Sequence, residues 1–236
     1  MKIAMWSGPR NLSTAMLYAF GNREDFAAWD EPFYAAYLQE TGIDHPMRSE
    51  VLSAHETDPT RVASTISGPV PEGKKHWYMK HMGFHMCGGF PLAWARECVN
   101  IHLIRHPARV VASYAAKRES PTLQDIGFQQ QIEMFENFPG PVIDSYDVRR
   151  DPEGMLKKLC ETIGLEWDDA MLKWSSGPKP YDGAWAPHWY GAVHRSTGFA
   201  GPEGTIPELS GELAELADAA LPFYRTMAES ETRIPL

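Results

Sequence analysis

Hydrophobic and polar positions fall along the chain in blocks with two periods. Short apolar runs at residues 3–6, 26–29, 76–80, 100–104 and 142–146 have the length and near-continuous hydrophobicity of strands covered on both faces. Between them, apolar residues return every three or four positions, the helical period. The clearest case is 123–138, where Ile126, Gln130, Met134 and Phe138 form one stripe and Phe128, Ile132 and Phe135 lie beside it. Pro139, Gly140 and Pro141 stop that helix. Asp151 and Pro152 open the next, a capping residue followed by proline at the first helical position. That helix carries Met155, Leu156, Leu159, Cys160 and Ile163 and closes at Gly164. Shorter helices are predicted from Ser13, over 48–55, from Asp58 to Ile66, over 91–97, after Pro107, over 168–174 and over 208–221. Strands alternating with helices predict an α/β fold, a three-layer α/β/α sandwich around a five-stranded parallel sheet.

Two stretches break this rhythm. Residues 44–75 are polar and carry Pro46, Pro59, Pro69 and Pro71, which reads as a candidate lid or substrate-facing insertion in one domain spanning 1–236. Residues 175–207 are rich in Gly, Pro and Trp, and include Trp185, Trp189, Tyr190, His194, Arg195, Ser196 and Thr197. A long irregular loop in a compact domain is often functional. Its rings suit stacking on a nucleotide base, and Arg195 suits a phosphate.

Composition narrows the class of partner. The formal net charge is -9, which argues against nucleic acid but leaves room for a small anion held by local arginines. Three scattered cysteines (Cys87, Cys98 and Cys160) make no disulfide framework and fit a reducing cytoplasm. No apolar run reaches membrane-spanning length, and Met1 and Lys2 lead straight into a strand rather than a signal peptide. The expectation is a cytoplasmic protein with no membrane partner, either monomer or homodimer.

Candidate chemistry clusters at the carboxyl ends of the strands, where open α/β sheets gather ligands. After the first strand come Ser7, Gly8, Pro9, Arg10, Asn11 and Leu12, then the hydroxyls Ser13 and Thr14 at a helix start. Backbone N–H groups at a helix N-terminus attract anions, and arginine adds a fork of donors. The second strand ends in Asp30 and Glu31, a carboxylate pair suited to proton transfer. The third ends in Lys80 and His81. His81, His85 and Cys87 follow His76 in the sequence, but the spacings fit no zinc pattern. The fourth strand ends in Arg105, with Ser113 eight residues on.

Three of these stretches resemble the sulfotransferase family that uses 3′-phosphoadenosine 5′-phosphosulfate (PAPS). Residues 7–14 are similar to its 5′-phosphosulfate loop, with Leu12 standing where that loop has Gly and Asn11 where it has Ser. Residues 101–113, with Arg105, Pro107 and Ser113, are similar to its 3′-phosphate motif, His106 replacing Asp or Asn. Residues 142–164 resemble its fifth strand and following helix. Asp30, Glu31 and Pro32 resemble the Glu-Pro of bacterial and carbohydrate-type members.

The resemblance implies a P-loop-NTPase-like fold and sulfuryl transfer to a hydroxyl or amine of a small-molecule acceptor, with PAP as product and no metal required. It implies that Gly8, Pro9, Arg10, Asn11, Leu12, Ser13 and Thr14 hold the 5′ end of the donor. Arg105, Ser113 and Arg195 would hold the 3′-phosphate. Glu31 would be the base, with Lys80 and His81 as alternates and Arg10 stabilising charge. Two other readings stay open at this point. A small-molecule kinase of the same fold is one, although Thr14 stands where a Walker loop has its Lys. A non-catalytic nucleotide-binding protein is the other.

Overall fold

A computed structural model of the chain describes residues 1–116 and 121–236. In chain order its elements are β1 Lys2–Ser7, α1 Ser13–Gly21, β2 Phe26–Asp30, α2 Tyr34–Thr41, α3 Arg48–Ala54, α4 Pro59–Ser67, β3 His76–Met82, β4 Val99–Ile104 and α5 Pro107–Ala115. Then follow α6 Leu123–Ile126, α7 Phe128–Asn137, β5 Val142–Asp144, α8 Ser145–Arg150, α9 Pro152–Thr162, α10 Ala186–Trp189, α11 Gly191–His194 and α12 Glu212–Ala228.

The five strands form one sheet in the order β2-β3-β1-β4-β5, and every neighbouring pair is parallel. β1 lies at the centre because it is apolar on both faces. Ile3 and Met5 join the core under α1 and α9, while Ala4 and Trp6 join the core on the opposite face with α4 and α7. The register sets Met5 beside Lys80 on one side and Ile101 on the other. The chain runs outward from β1 to β2, returns to β3, then crosses to β4. The loop after β1 therefore opens at the switch point of the sheet, where a crevice forms outside the strand ends.

Several boundaries differ from the sequence expectation, each for a local reason. The helix expected over 123–138 breaks at Gly127, whose φ of 70° is left-handed. A Cβ there would sit 3.0 Å from Phe84, so the close approach also favours glycine. The fifth strand stops at Asp144 because that carboxylate accepts a hydrogen bond from Tyr146 N and caps α8 instead. The helices expected over 91–97 and 168–174 are short 3₁₀ turns, at Ala93–Glu97 and Asp169–Leu172. The closing helix begins at Glu212 and runs on past Pro222 to Ala228. Within 44–75, Asp58 caps α4 by accepting from Thr60 N at 2.8 Å. α4 buries Val62, Ala63 and Ile66 against Trp77 and Trp94, so that part of the segment covers the sheet.

Candidate active site

A cavity of about 420 Å³ lies over the carboxyl ends of β1, β2, β3 and β4. The loop 7–12 forms its floor. Arg10 and Leu12 both have left-handed backbone, with φ of 62° and 70°, a conformation that costs a non-glycine residue roughly 1–2 kcal/mol. Leu12 therefore adopts the glycine-type geometry without being glycine. Its side chain offsets the strain by packing on the core cluster under α1. Asn11 is buried and ties the loop down, donating from Nδ2 to the Leu103 carbonyl at 3.1 Å. Leu12 supplies no side-chain cap to α1, and Ser13, Thr14 and Ala15 of its first turn line the cavity.

One end of the cavity is built from a buried ion cluster. Lys80 Nζ stands 2.9 Å from Asp30 Oδ1 and 2.8 Å from Glu31 Oε1. It also donates to the Tyr190 hydroxyl at 2.6 Å and to Thr14 Oγ1 at 3.3 Å. Tyr190 donates onward to Asp30 Oδ2 at 2.6 Å and accepts from Trp185 Nε1 at 3.0 Å. Two carboxylates and a phenol leave the ammonium well partnered, and Lys80 is held protonated: burial pulls its pKa down, but the attraction of Asp30 and Glu31 outweighs it and raises it. Burial also raises the Glu31 pKa, against the pull of Lys80. Glu31 has a left-handed φ of 40°, held by a backbone hydrogen bond from its N–H to the Lys80 carbonyl. His85 Nδ1 lies 3.8 Å from Glu31 Oε2. Burial pushes this imidazole well below its usual pKa, so it faces the carboxylate as a neutral ring, stacked on Tyr34 and Tyr37.

The other end is cationic. Arg10 Nε donates to Ser113 Oγ at 2.9 Å, and Arg105 Nη1 donates to the Arg10 carbonyl at 2.6 Å. The Arg10 side chain thus reaches away from the first turn of α1 toward α5. Arg105 and Arg149 line the same wall. Burial lowers the pKa of both Arg10 and Arg105.

A family model described as a sulfotransferase domain matches residues 1–231. The chain belongs to the sulfotransferase family. Two curated relatives from Arabidopsis thaliana, branched-chain-amino-acid aminotransferase-like proteins 2 and 1, are each 35% identical to it over 233 residues. The match covers 95% of this chain but only 41% of either relative. Among solved structures, a sulfotransferase from Alicyclobacillus acidocaldarius aligns over 97% of this chain and 96% of its own, with a TM-score of 0.55 and 9% identity. A sulfotransferase domain from the curacin biosynthetic pathway aligns over 97% of both chains, with a TM-score of 0.51 and 14% identity. At those identities the likeness is one of fold, and it is the P-loop-like α/β fold.

For this family member, most residues singled out from the sequence converge on one cavity. Pro9, Arg10, Asn11, Leu12, Ser13, Thr14, Glu31, Lys80, Arg105 and Ser113 all line it. Three do not. Gly8 is buried behind the loop, where a Cβ would meet the Ile126 carbonyl at 3.0 Å, so it serves packing. Arg195 is exposed and is not among the cavity-lining residues. His81 points to the opposite face of the sheet because side chains alternate along β3. It sits 4.8 Å from the rings of both Trp6 and Trp94, and burial drops its pKa to about 3. The structure adds Tyr34, His85, Arg149, Trp185 and Tyr190 to the lining. Arg149 lies within α8, whereas Arg105 directly follows β4, so the strand-end rule does not reach it.

Among the described residues, no group of three or more His, Cys, Asp or Glu side chains is placed to hold a metal ion. No helix among them is long and apolar enough to cross a membrane.

Proposed function

We propose that this sulfotransferase moves the sulfuryl group of PAPS to a hydroxyl or amine of a small-molecule acceptor by in-line displacement. The single observation that supports this most is the polarised cavity. Arg10, Arg105 and Arg149 stand at one end and the Glu31 carboxylate at the other, with the uncapped first turn of α1 between them. A donor with two separated phosphates suits the cationic end and the helix N-terminus together. Among the described residues, Arg105 Nε is buried without an acceptor, which leaves a donor for such a ligand.

PAPS supplies the sulfuryl group. The acceptor oxygen or nitrogen forms the new bond to sulfur as the bond from sulfur to the 5′-phosphate oxygen breaks, and PAP leaves. Glu31 takes the acceptor's proton. Its Oε1 is held by Lys80, leaving Oε2 for the acceptor, and burial brings its pKa up toward the range useful for a base. Lys80, fixed beside Thr14, places an ammonium at the start of α1, where charge builds on the leaving oxygen. Most of the work is positioning and charge stabilisation, as in phosphoryl transfer. The aromatic wall of Tyr34, Phe84, Trp185 and Trp189 suits a partly apolar acceptor.

Isothermal titration with PAP, and separately with ATP and magnesium, tests the reading. PAP is expected to bind and ATP to bind much more weakly. Tight ATP binding with none for PAP would reject sulfuryl transfer from PAPS in favour of a kinase.

A further inference from the structure

The arginine end of the cavity is stopped by a carboxylate of the chain itself. Glu203 Oε1 accepts from Arg105 Nη2 at 2.5 Å and from Arg149 Nη1 at 2.8 Å. Its Oε2 faces Arg109 Nε at 3.1 Å. The Glu203 side chain is only 3% exposed, yet its neighbours Gly201, Pro202, Gly204, Thr205 and Ile206 are all exposed. Two further bonds, from Arg149 Nε to the Gly201 carbonyl and from Arg109 Nη2 to the Gly204 carbonyl, come from the same arginines. The segment around Glu203 has no regular structure. It is a surface strap whose one buried side chain is a carboxylate pushed into three guanidinium groups.

The charges there do not balance. Among the described residues, three arginines face one monoanion, and Arg105 Nε still lacks an acceptor. A phosphate dianion would bring twice the charge and three acceptor oxygens to the same forks. Releasing Glu203 costs little by comparison, because the strap already lies in solvent and the carboxylate would move into water.

We infer that Glu203 is an internal stand-in for the second phosphate of the donor. It fills the arginine triad when no donor is bound and leaves when that phosphate arrives, so it sets selectivity for nucleotides that carry one. The inference rests on the donor proposed above. A nucleotide without a second phosphate leaves Glu203 in place and gains nothing from the triad. The exchange makes or breaks no covalent bond.

The test compares wild type with Glu203→Gln, which keeps the shape and one acceptor oxygen, by titration with PAP, AMP and inorganic phosphate. The variant is expected to bind PAP at least about tenfold more tightly and AMP within about twofold of wild type. It should gain phosphate binding that wild type lacks, seen also as a larger rise in melting temperature on adding phosphate. In wild type, PAP but not AMP should speed hydrogen exchange across residues 200–207. If Glu203→Gln stays folded and binds PAP no better or worse, with no gain for phosphate, Glu203 is a fixed organiser of the arginines and the inference is overturned. If phosphate binding appears in the variant while neither protein binds PAP, the stand-in role holds and the proposed donor falls.

Discussion

The two ends of the cavity solve opposite electrostatic problems with different materials. At the Glu31 end, one ammonium is shared by two carboxylates and a phenol, and the groups come from strand ends and the buried Tyr190. At the Arg105 end, three arginines (105, 109 and 149) share one carboxylate among the described residues, and that carboxylate hangs on an exposed strap. The first end is buried and carries one carboxylate more than its single ammonium, and burying it is tolerable because each charge has a partner at hydrogen-bond distance. The second carries excess positive charge and a replaceable partner. The comparison teaches that the proposed base sits among fully partnered charges, while the excess charge sits where the proposed donor would bind.

Removing the proposed base should give the largest effect. Glu31→Gln is expected to lower kcat by about 10²–10⁴-fold with a smaller change in donor KM. In wild type, kcat should fall on acidification with a midpoint above that of an ordinary glutamate, since burial raises the Glu31 pKa. Near-normal turnover in Glu31→Gln would erase the distinction between the two ends. Next comes the cationic end: Arg105→Ala should raise the PAPS KM by about 10- to 100-fold, the value of a charge-assisted hydrogen bond or two, while kcat changes far less. Equal losses in kcat and kcat/KM would instead place Arg105 in the chemical step.

A smaller effect should mark the residue that sits at neither end. His81→Met is expected to keep kcat within about twofold, measured at pH 7.5, because the imidazole is walled off by Trp6 and Trp94. Its effect should appear in acid. The unfolded chain protonates this histidine below about pH 6.5, whereas the folded one resists until about 3. Between those values the native state loses about 1.4 kcal/mol per pH unit from this group. His81→Met should therefore flatten the fall of stability between pH 6 and pH 4, checked by urea unfolding at several pH values. Loss of turnover at neutral pH would return His81 to the base's role. The smallest effect belongs to the loop. Leu12→Gly relieves left-handed strain but frees the unfolded chain, so stability should change by less than about 1 kcal/mol. Leu12→Val, branched at Cβ, should cost about 1 kcal/mol or more. Thermal melts separate the two, and a large gain for glycine would mean the leucine itself limits this floor.

Much of this was legible in the sequence, and the gaps have physical causes. Four strands announced themselves because parallel, doubly covered strands are apolar throughout. The fifth was read too long because Asp144 and Tyr146 look alike in an extended run and in a capped helix. Glu31 and Arg105 were legible because chain order places them at strand ends. Lys80 and His81 stand side by side in sequence, and only the pleat of β3 sends one into the cavity and the other into the opposite core. Tyr190 was legible only as one ring of the irregular loop 175–207, and Arg109 and Glu203 were not legible as site residues: an arginine inside a helix and a glutamate in a polar strap carry no period and no motif. What distinguishes them is whom they meet across the fold.

The hydrogen bond from Tyr190 to Asp30 joins residues 160 positions apart. Closing that span costs loop entropy that the contacts it brings must offset. The sheet can form with Lys80 and its two carboxylates still hydrated, and the charge cluster is sealed only when the aromatic segment settles over it. Completing the charge cluster thus depends on residues 185–190 docking over the strand ends, and loosening that segment is expected to lower turnover before it unfolds the sheet.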